Sequence, residues 1–170
     1  LGWLAFNLKR KPFDDLRVIA GQGTVGLEIL EQIPDVSTVI IACGGGGLIS
    51  GVAAAIKQVK PSVRVIGVEP AGADVMTRSL AAGSPQRMAQ LSTIADGLAA
   101  PFAGVRSFAH CQAFVDEWFV VPDEAIVEAM KVLMERCKLL PEAAGAAAIV
   151  PLLTGRLAVP SDATVVPIIC

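Results

Sequence analysis

The sequence has 170 residues and a net charge of −2, from 14 basic and 16 acidic side chains, and 54% of its residues are hydrophobic. This length suits one ordinary domain, and the balanced charge gives no sign of a nucleic-acid or anionic-membrane partner. No apolar run reaches the roughly 18–20 residues that a membrane-spanning helix requires, so a membrane protein is not predicted.

The four cysteines, at positions 43, 111, 137 and 170, are expected to be reduced. None forms a Cys-x-x-Cys pair, and His110, the single histidine, has no partners at zinc-site spacing. Residues 1–8 lack the basic start and small-residue cleavage pattern of a secretory leader. We therefore expect a cytoplasmic location, and we interpret the basic residues 9–11 as a solvated turn.

The first half of the chain predicts helices and strands in alternation. Thr24 is expected to cap a short helix over residues 25–32, because its hydroxyl can accept an unpaired backbone N–H. A β-branched apolar run predicts a buried parallel strand at 38–43, and four glycines then lead into a helix over 48–60. A second strand at 64–68 is followed by a helix over 73–82 that ends at Gly83.

The second half begins with an irregular stretch, residues 84–108, and then returns to alternation. We predict a strand at 118–121, a helix over 123–138 capped by Asp123, an alanine-rich helix over 142–153 and a terminal strand at 164–170. Trp3 and Trp118 are interpreted as packing residues. The alternation indicates an α/β fold with three layers, in which helices cover both faces of a mainly parallel sheet.

The strongest chemical signal is a run of four glycines between a strand and a helix: Gly44, Gly45, Gly46 and Gly47. The start of a helix exposes unpaired N–H groups and carries about half a positive charge. Glycines let the backbone approach an anion closely. The run therefore predicts a phosphate cradle made of backbone donors.

Three other interpretations of the glycine run can be compared with the sequence. A nucleotide P-loop needs Gly-Lys-Ser/Thr, but Leu48-Ile49-Ser50 follows here. A dinucleotide fingerprint fits loosely over residues 46–51, and Glu69 lies where a ribose-binding acid would lie. A tight turn that binds no ligand is the third possibility.

Beyond the glycine run, a series of short segments occurs in a characteristic order along the chain. The segments are Pro12-Phe13-Asp14-Asp15, residues 19–24 with Glu28, residues 44–48, Gly67-Val68-Glu69-Pro70, Ile94-Ala95-Asp96-Gly97, residues 142–147 and the terminal strand. This series resembles the pyridoxal-phosphate-dependent threonine dehydratases and serine racemases. The resemblance runs from about Pro12 to the end of the chain and implies part of the large domain of a fold-type II pyridoxal-phosphate enzyme.

The resemblance implies roles for individual residues. The four glycines and the N–H of Leu48 would hold the cofactor phosphate, and Cys170 would face the pyridine nitrogen. A thiol is only a weak donor and acceptor, so the ring would stay largely neutral, which suits β-elimination. Glu142 would lie near the cofactor, although an acid favoured by the helix dipole is an equal alternative. Residues 21–24 and Asp96-Gly97 are interpreted as loop geometry.

The resemblance also implies part of a divalent-cation site. Glu69 and the Ala73 carbonyl match two ligands seen in serine racemase-like members. The third, an acidic residue, would fall at Val75, whereas the acidic Asp74 lies one position early. The alternative is that Glu69 is a solvated strand end.

Two segments of the family pattern do not occur in this sequence. One is Ser-Phe-Lys, whose lysine forms the Schiff base, and the other is Ser-x-Gly-Asn-His. We therefore expect residues 1–170 to be a single, partial catalytic domain that lacks the N-terminal half, and to be inactive alone. The alternative is a truncated module that binds phosphate or pyridoxal phosphate, or that oligomerises, without catalysis.

The expected partners follow from the same interpretation. In the complete enzyme the substrate would be a small amino acid. A homo-oligomer, or association through an exposed sheet edge, is expected because half of a parallel sheet leaves unpaired strand groups.

Overall fold

The computed structural model describes residues 12–170. The N-terminal residues with expectations of their own, Trp3 and the basic stretch 9–11, lie outside this range. The helices are α1 (Leu16–Gln32), α2 (Gly47–Val59), α3 (Val75–Ala82), α4 (Val105–Phe114), α5 (Asp123–Val132), α6 (Ala143–Ala146) and α7 (Val150–Leu153). The strands are β1 (Val36–Ala42), β2 (Arg64–Pro70), β3 (Glu117–Val121) and β4 (Thr164–Pro167).

The four strands form one parallel sheet in the order β3-β2-β1-β4. Successive side chains of a strand point to opposite faces, so each strand contributes to two cores. Ile40 and Ile66 face α5 to α7, whereas Val39 and Ile41 face α1 to α4. The predicted three-layer α/β class is confirmed, and it places every strand's carboxyl end on the same side of the molecule.

Helix α1 is twice as long as the sequence indicated. It begins after Asp15, whose carboxylate accepts the N–H of Arg17 at 2.9 Å, and it runs through the segment interpreted as a loop. Thr24 therefore caps nothing, and its hydroxyl donates to the Gly21 carbonyl. Of the two glycines in that segment, Gly23 serves helix packing, since a Cβ there would lie 3.2 Å from the Gly51 carbonyl oxygen of α2.

Three further expectations required correction. Helix α4 begins inside the stretch predicted to be irregular and continues beyond it to Phe114. Asp123 does not cap α5, because its carboxylate accepts hydrogen bonds from Thr93 and Ile94 instead. The helix expected through residue 138 changes to a π-helical turn at Leu133–Cys137, and Lys138 adopts a left-handed φ of 59°.

The C-terminal elements are shorter than expected. A 3-10 turn, Ala147–Ile149, separates α6 from α7 just before Pro151, which has no N–H to donate to a continuous helix. Strand β4 ends at Pro167 rather than at residue 170. Trp118 packs as predicted, since its ring fills the space beside Gly67 on the neighbouring strand. Within residues 12–170, no helix has the length and apolar character needed to cross a membrane.

Candidate functional site

The glycine run forms the turn between the carboxyl end of β1 and the start of α2. The Cys43 N–H still pairs with the Val68 carbonyl at 2.8 Å, so the chain leaves the sheet only after this residue. Gly46 adopts a left-handed φ of 89° and occupies the N-cap position of α2. The strand, turn and helix that the sequence predicted are thus confirmed as a structural unit.

Each glycine of the turn is also required by close packing. A Cβ on Gly44 would lie 3.1 Å from the Leu98 backbone, and one on Gly45 would lie 2.5 Å from the Phe13 ring. On Gly46 it would meet the Met76 methyl at 2.6 Å, and on Gly47 the Phe13 backbone at 2.9 Å. The protein therefore encloses the turn on several sides.

The start of α2 offers backbone donors to a ligand. Gly47, Leu48 and Ile49 form the first helical turn, where an N–H has no acceptor within its own helix. No side chain caps this helix among the described residues, and the first helical bond runs from the Ser50 N–H to the Gly46 carbonyl. Uncapped donors and a positive helix end together favour an anion at this position.

A cavity of about 620 Å³ opens at the glycine turn. It brings together all of the residues that were predicted to bind the cofactor: the four glycines, Leu48, Glu142 and Cys170. Several other residues that line the cavity were not predicted from the sequence to bind the cofactor. These are Phe13, Val18, Gln22, Ala42, Cys43, Ile49, the stretch 97–101 and Ala144.

Cys170 and Glu142 lie on the side of the cavity formed by α6. The backbone of Cys170 packs directly on Gly145, where a Cβ would collide with it. Partial burial raises the pKa of the Cys170 thiol, and the nearby Glu142 carboxylate raises it further. The thiol is therefore protonated at neutral pH. Glu142 occupies the N-cap position of α6 without a side-chain capping bond, and it lines the cavity.

Glu69 has a structural role beside the cavity. It is fully buried, which shows that the alternative of a solvated strand end is wrong. Its carboxylate accepts the Met76 N–H at 2.8 Å and both the N–H and the hydroxyl of Thr77, at 2.7 and 2.6 Å. Burial raises its pKa to about 7, although these hydrogen bonds oppose the shift.

The ligand role of Glu69 and Ala73 stays a prediction. Ala73 is buried in the short turn before α3. Within residues 12–170, no group of three or more His, Cys, Asp or Glu side chains is arranged to hold a metal ion.

The lysines of the described range lie away from the cavity. Lys57 donates to the Val63 carbonyl at 2.8 Å and Lys60 to the Pro34 carbonyl at 2.7 Å, at the amino ends of the strands. Lys131 and Lys138 are exposed on and after α5. Within residues 12–170, the cavity is therefore lined by no lysine that could react with a carbonyl cofactor.

Comparisons of this chain with known proteins agree on one family. The family model described as "Pyridoxal-phosphate dependent enzyme" matches residues 8–170. The chain is 46% identical over 154 residues to an L-threonine ammonia-lyase of Geobacter sulfurreducens, covering 91% of this chain and 38% of that protein. It is 47% identical over 135 residues to a serine racemase of Oryza sativa subsp. indica, covering 79% and 40% of the two chains.

A solved structure shows the same arrangement. The processed form of threonine deaminase isoform 2 from Solanum lycopersicum superposes with a TM-score of 0.85 at 38% identity, covering 92% of this chain and 44% of that one. This chain spans about two fifths of the length of the two curated relatives.

Proposed function

Because this chain belongs to the pyridoxal-phosphate-dependent enzyme family, we propose that it forms the phosphate-binding part of a hydroxy-amino-acid ammonia-lyase. The observation that carries the proposal is that the glycine turn, Glu142 and Cys170 line one cavity. Relatives named threonine ammonia-lyase and serine racemase support a small hydroxy amino acid, serine or threonine, as the substrate.

The residues of the cavity suit the cofactor. The N–H groups at the start of α2 would hold its phosphate, with the four glycines keeping side chains out of the turn. When bound, pyridoxal phosphate supplies an electron sink for bond breaking at the α-carbon of an amino acid. Among the described residues, no lysine or arginine lines the cavity, so the helix end provides the main electrostatic attraction.

Cys170 would set the electronic state of the ring. Its raised pKa keeps the thiol neutral, so it offers the ring nitrogen a weak hydrogen-bond partner rather than a charge. With only this weak partner, the ring nitrogen would stay largely unprotonated, which would moderate the electron sink. This suits a reaction in which departure of the β-hydroxyl drives the chemistry.

We further propose that the 170-residue chain alone does not release ammonia from serine or threonine. No lysine of the described residues lines the cavity, and proton abstraction would need a base placed there. The activity would require the lysine-bearing segment that this sequence does not contain. The alternative is a chain that binds phosphate or pyridoxal phosphate without catalysis.

The first experiment is a titration of the purified chain with pyridoxal phosphate, followed by borohydride reduction and intact-mass measurement. We expect reversible binding that inorganic phosphate competes away, weaker binding of pyridoxal, and no covalent adduct. A mass gain of one reduced cofactor would show that a lysine of this chain reacts. Equal affinity for pyridoxal, with no competition by phosphate, would contradict the phosphate cradle.

Two glycine variants provide a matched test of the cradle. Gly46 and Gly83 both have positive φ, 89° and 67°, so alanine costs backbone strain at either position. Only Gly46→Ala also places a methyl group in the turn, because a Cβ on Gly83 would meet nothing within 4 Å. Gly46→Ala should weaken binding of pyridoxal phosphate, and Gly83→Ala should not.

Association with a partner chain is the last part of the proposal. Strand β4 is an edge of the sheet in the described range, and its side chains are only partly buried. Leu140 is 88% exposed just before Glu142. Both features favour self-association or contact with another part of the enzyme. Sedimentation at micromolar concentration that shows only monomer would count against self-association.

A further inference from the structure

The turn at Pro12–Asp14 links two elements that are far apart in the sequence. On one side it contacts the glycine turn, and on the other it contacts the start of α4. In the sequence this segment is only one part of the family resemblance, with no role of its own. Its contacts show what it does in the fold.

Asp14 caps helix α4 from more than 90 residues away. Its Oδ1 accepts the N–H of Arg106 at 2.7 Å and that of Ser107 at 3.2 Å, while the Arg106 guanidinium donates to the Asp14 carbonyl at 3.0 Å. Gly104, the residue at the N-cap position of α4, leaves room for this carboxylate, since a Cβ there would lie 2.5 Å from Oδ1. Asp14 thus replaces the missing local cap.

Ser107 links Asp14 to α2 through hydrogen bonds. Its hydroxyl donates to the Phe13 carbonyl at 2.6 Å, and its carbonyl accepts the hydroxyl of Ser50 at 3.1 Å. Ser50 and Ser107 are both fully buried, so these bonds are made away from water. The Ser107 Cβ lies 2.9 Å from the position that a Cβ on Gly46 would take.

Phe13 completes the contact with the turn. Its ring covers Gly45, and its backbone lies 2.9 Å from the position of a Cβ on Gly47. The ring also packs on Phe102, with centroids 5.1 Å apart, and lines the cavity. Phe13 therefore limits how far the glycine turn can move.

We propose that Phe13 and Asp14 are positioning residues that hold the glycine turn in the conformation that presents the α2 N–H groups to a phosphate. This inference rests on the proposed function and deepens it. Four flexible glycines would otherwise lose conformational freedom when the phosphate binds. A turn that is already fixed lets binding proceed without that loss.

The chain contains a matched control for Asp14. Asp15 is the adjacent residue and also caps a helix, α1, through the Arg17 N–H at 2.9 Å. Asp14→Ala and Asp15→Ala therefore both remove a capping carboxylate, and Asp15→Ala also removes the ion pair with the Arg17 guanidinium at 2.7 Å. Of the two aspartates, Asp14 is the one that bonds to Ser107, whose Cβ lies beside Gly46 of the glycine turn.

The experiment measures dissociation constants of the 170-residue variants for pyridoxal phosphate and for pyridoxal, which lacks the phosphate. Asp14→Ala should weaken the binding of pyridoxal phosphate by about tenfold, because hydrogen bonds to a charged group are lost. The dissociation constant for pyridoxal should be unchanged. Asp15→Ala should leave the ratio of the two constants unchanged. Asp14→Asn should restore most of the ratio, since its amide oxygen can still accept both N–H groups.

Amide hydrogen exchange over residues 44–50 gives a second readout that requires no ligand. Exchange should accelerate in Asp14→Ala and in Phe13→Leu, but not in Asp15→Ala. If the unchanged chain binds neither pyridoxal phosphate nor inorganic phosphate, the proposed function fails and the positioning role fails with it. If the unchanged chain binds both, but Asp14→Ala and Asp15→Ala behave alike in binding and exchange, only the positioning role is overturned.

Discussion

Replacing glycine by alanine should have opposite effects on stability in the two packed helices α1 and α2. Gly51, in α2, faces α1 so closely that a Cβ would collide with the Ile19 carbonyl oxygen and lie 2.7 Å from the Gly23 nitrogen. Both contacts are backbone atoms, so no rotamer change can relieve them. Gly21, in α1, is exposed, and a Cβ there would meet nothing within 4 Å.

The magnitudes follow from these two environments. Alanine in a helix interior is favoured over glycine by about 0.5–1 kcal/mol, and Gly21→Ala should raise the free energy of unfolding by that amount. Gly51→Ala gains the same propensity but overpacks the interface, which costs about 1–3 kcal/mol and more where backbone must move. We expect a net loss of about 2 kcal/mol for Gly51→Ala.

Urea unfolding followed by far-UV circular dichroism measures both changes. Gly51 lies one turn after the start of α2, where we propose that the phosphate binds, so Gly51→Ala should also weaken pyridoxal phosphate binding, whereas Gly21→Ala should not. If the two variants change stability in the same direction, the close helix packing described above is wrong. If Gly21→Ala is destabilising, the result would also support the loop that the sequence suggested at this position instead of the helix.

Two other predictions concern ionisation and accessibility. Burial raises the pKa of Glu69 from 4.5 to about 7, so the folded chain holds this proton more tightly than the unfolded chain does. Protonated Glu69 therefore contributes fully to the free energy of unfolding at low pH. This contribution is lost as pH rises through the pKa of the folded chain, and the loss is at most about 3 kcal/mol. Urea unfolding at about pH 5 and about pH 8 should show this fall, and it should be absent in Glu69→Gln; an equal fall in the variant would contradict the assignment. Ellman's reagent should titrate the exposed Cys137 and Cys170 in the folded chain, with Cys170 slowed by its raised pKa, and should reach the buried Cys43 and Cys111 only after unfolding. A third thiol reacting quickly in the folded chain would contradict the burial of one of that pair.

Strands were the most predictable elements of this fold. The strands β1 and β2 are covered on both faces, so most of their residues are apolar and many are β-branched, and the pattern is visible without any partner. The glycine turn was predictable for the same reason, because strand, turn and helix are adjacent in the sequence. Each of these features depends on local residue type.

Helix limits were predicted less well where glycine and aspartate had roles outside their own segment. Gly23 suggested a loop, yet it lies in α1 because α2 passes close to it. Asp123 suggested a helix cap, yet its carboxylate bonds to residues about 30 positions away. Helix α4 was missed because its capping group, Asp14, comes from a remote turn. A local pattern cannot distinguish these uses from the usual ones.

The sequence by itself determined the class of the fold, the order of its four strands along the chain, and the glycine turn between a strand and a helix, whose use as an anion site stays a prediction. These follow from hydrophobic pattern and backbone freedom, which act over a few residues. Only the tertiary structure decided that Glu142 and Cys170 share a cavity with that turn, that Glu69 is a buried acceptor, and that Phe13 and Asp14 contact the turn and the start of α4. These depend on contacts between residues that are remote in the chain, where the position of a side chain is set by the packing of whole helices on the sheet.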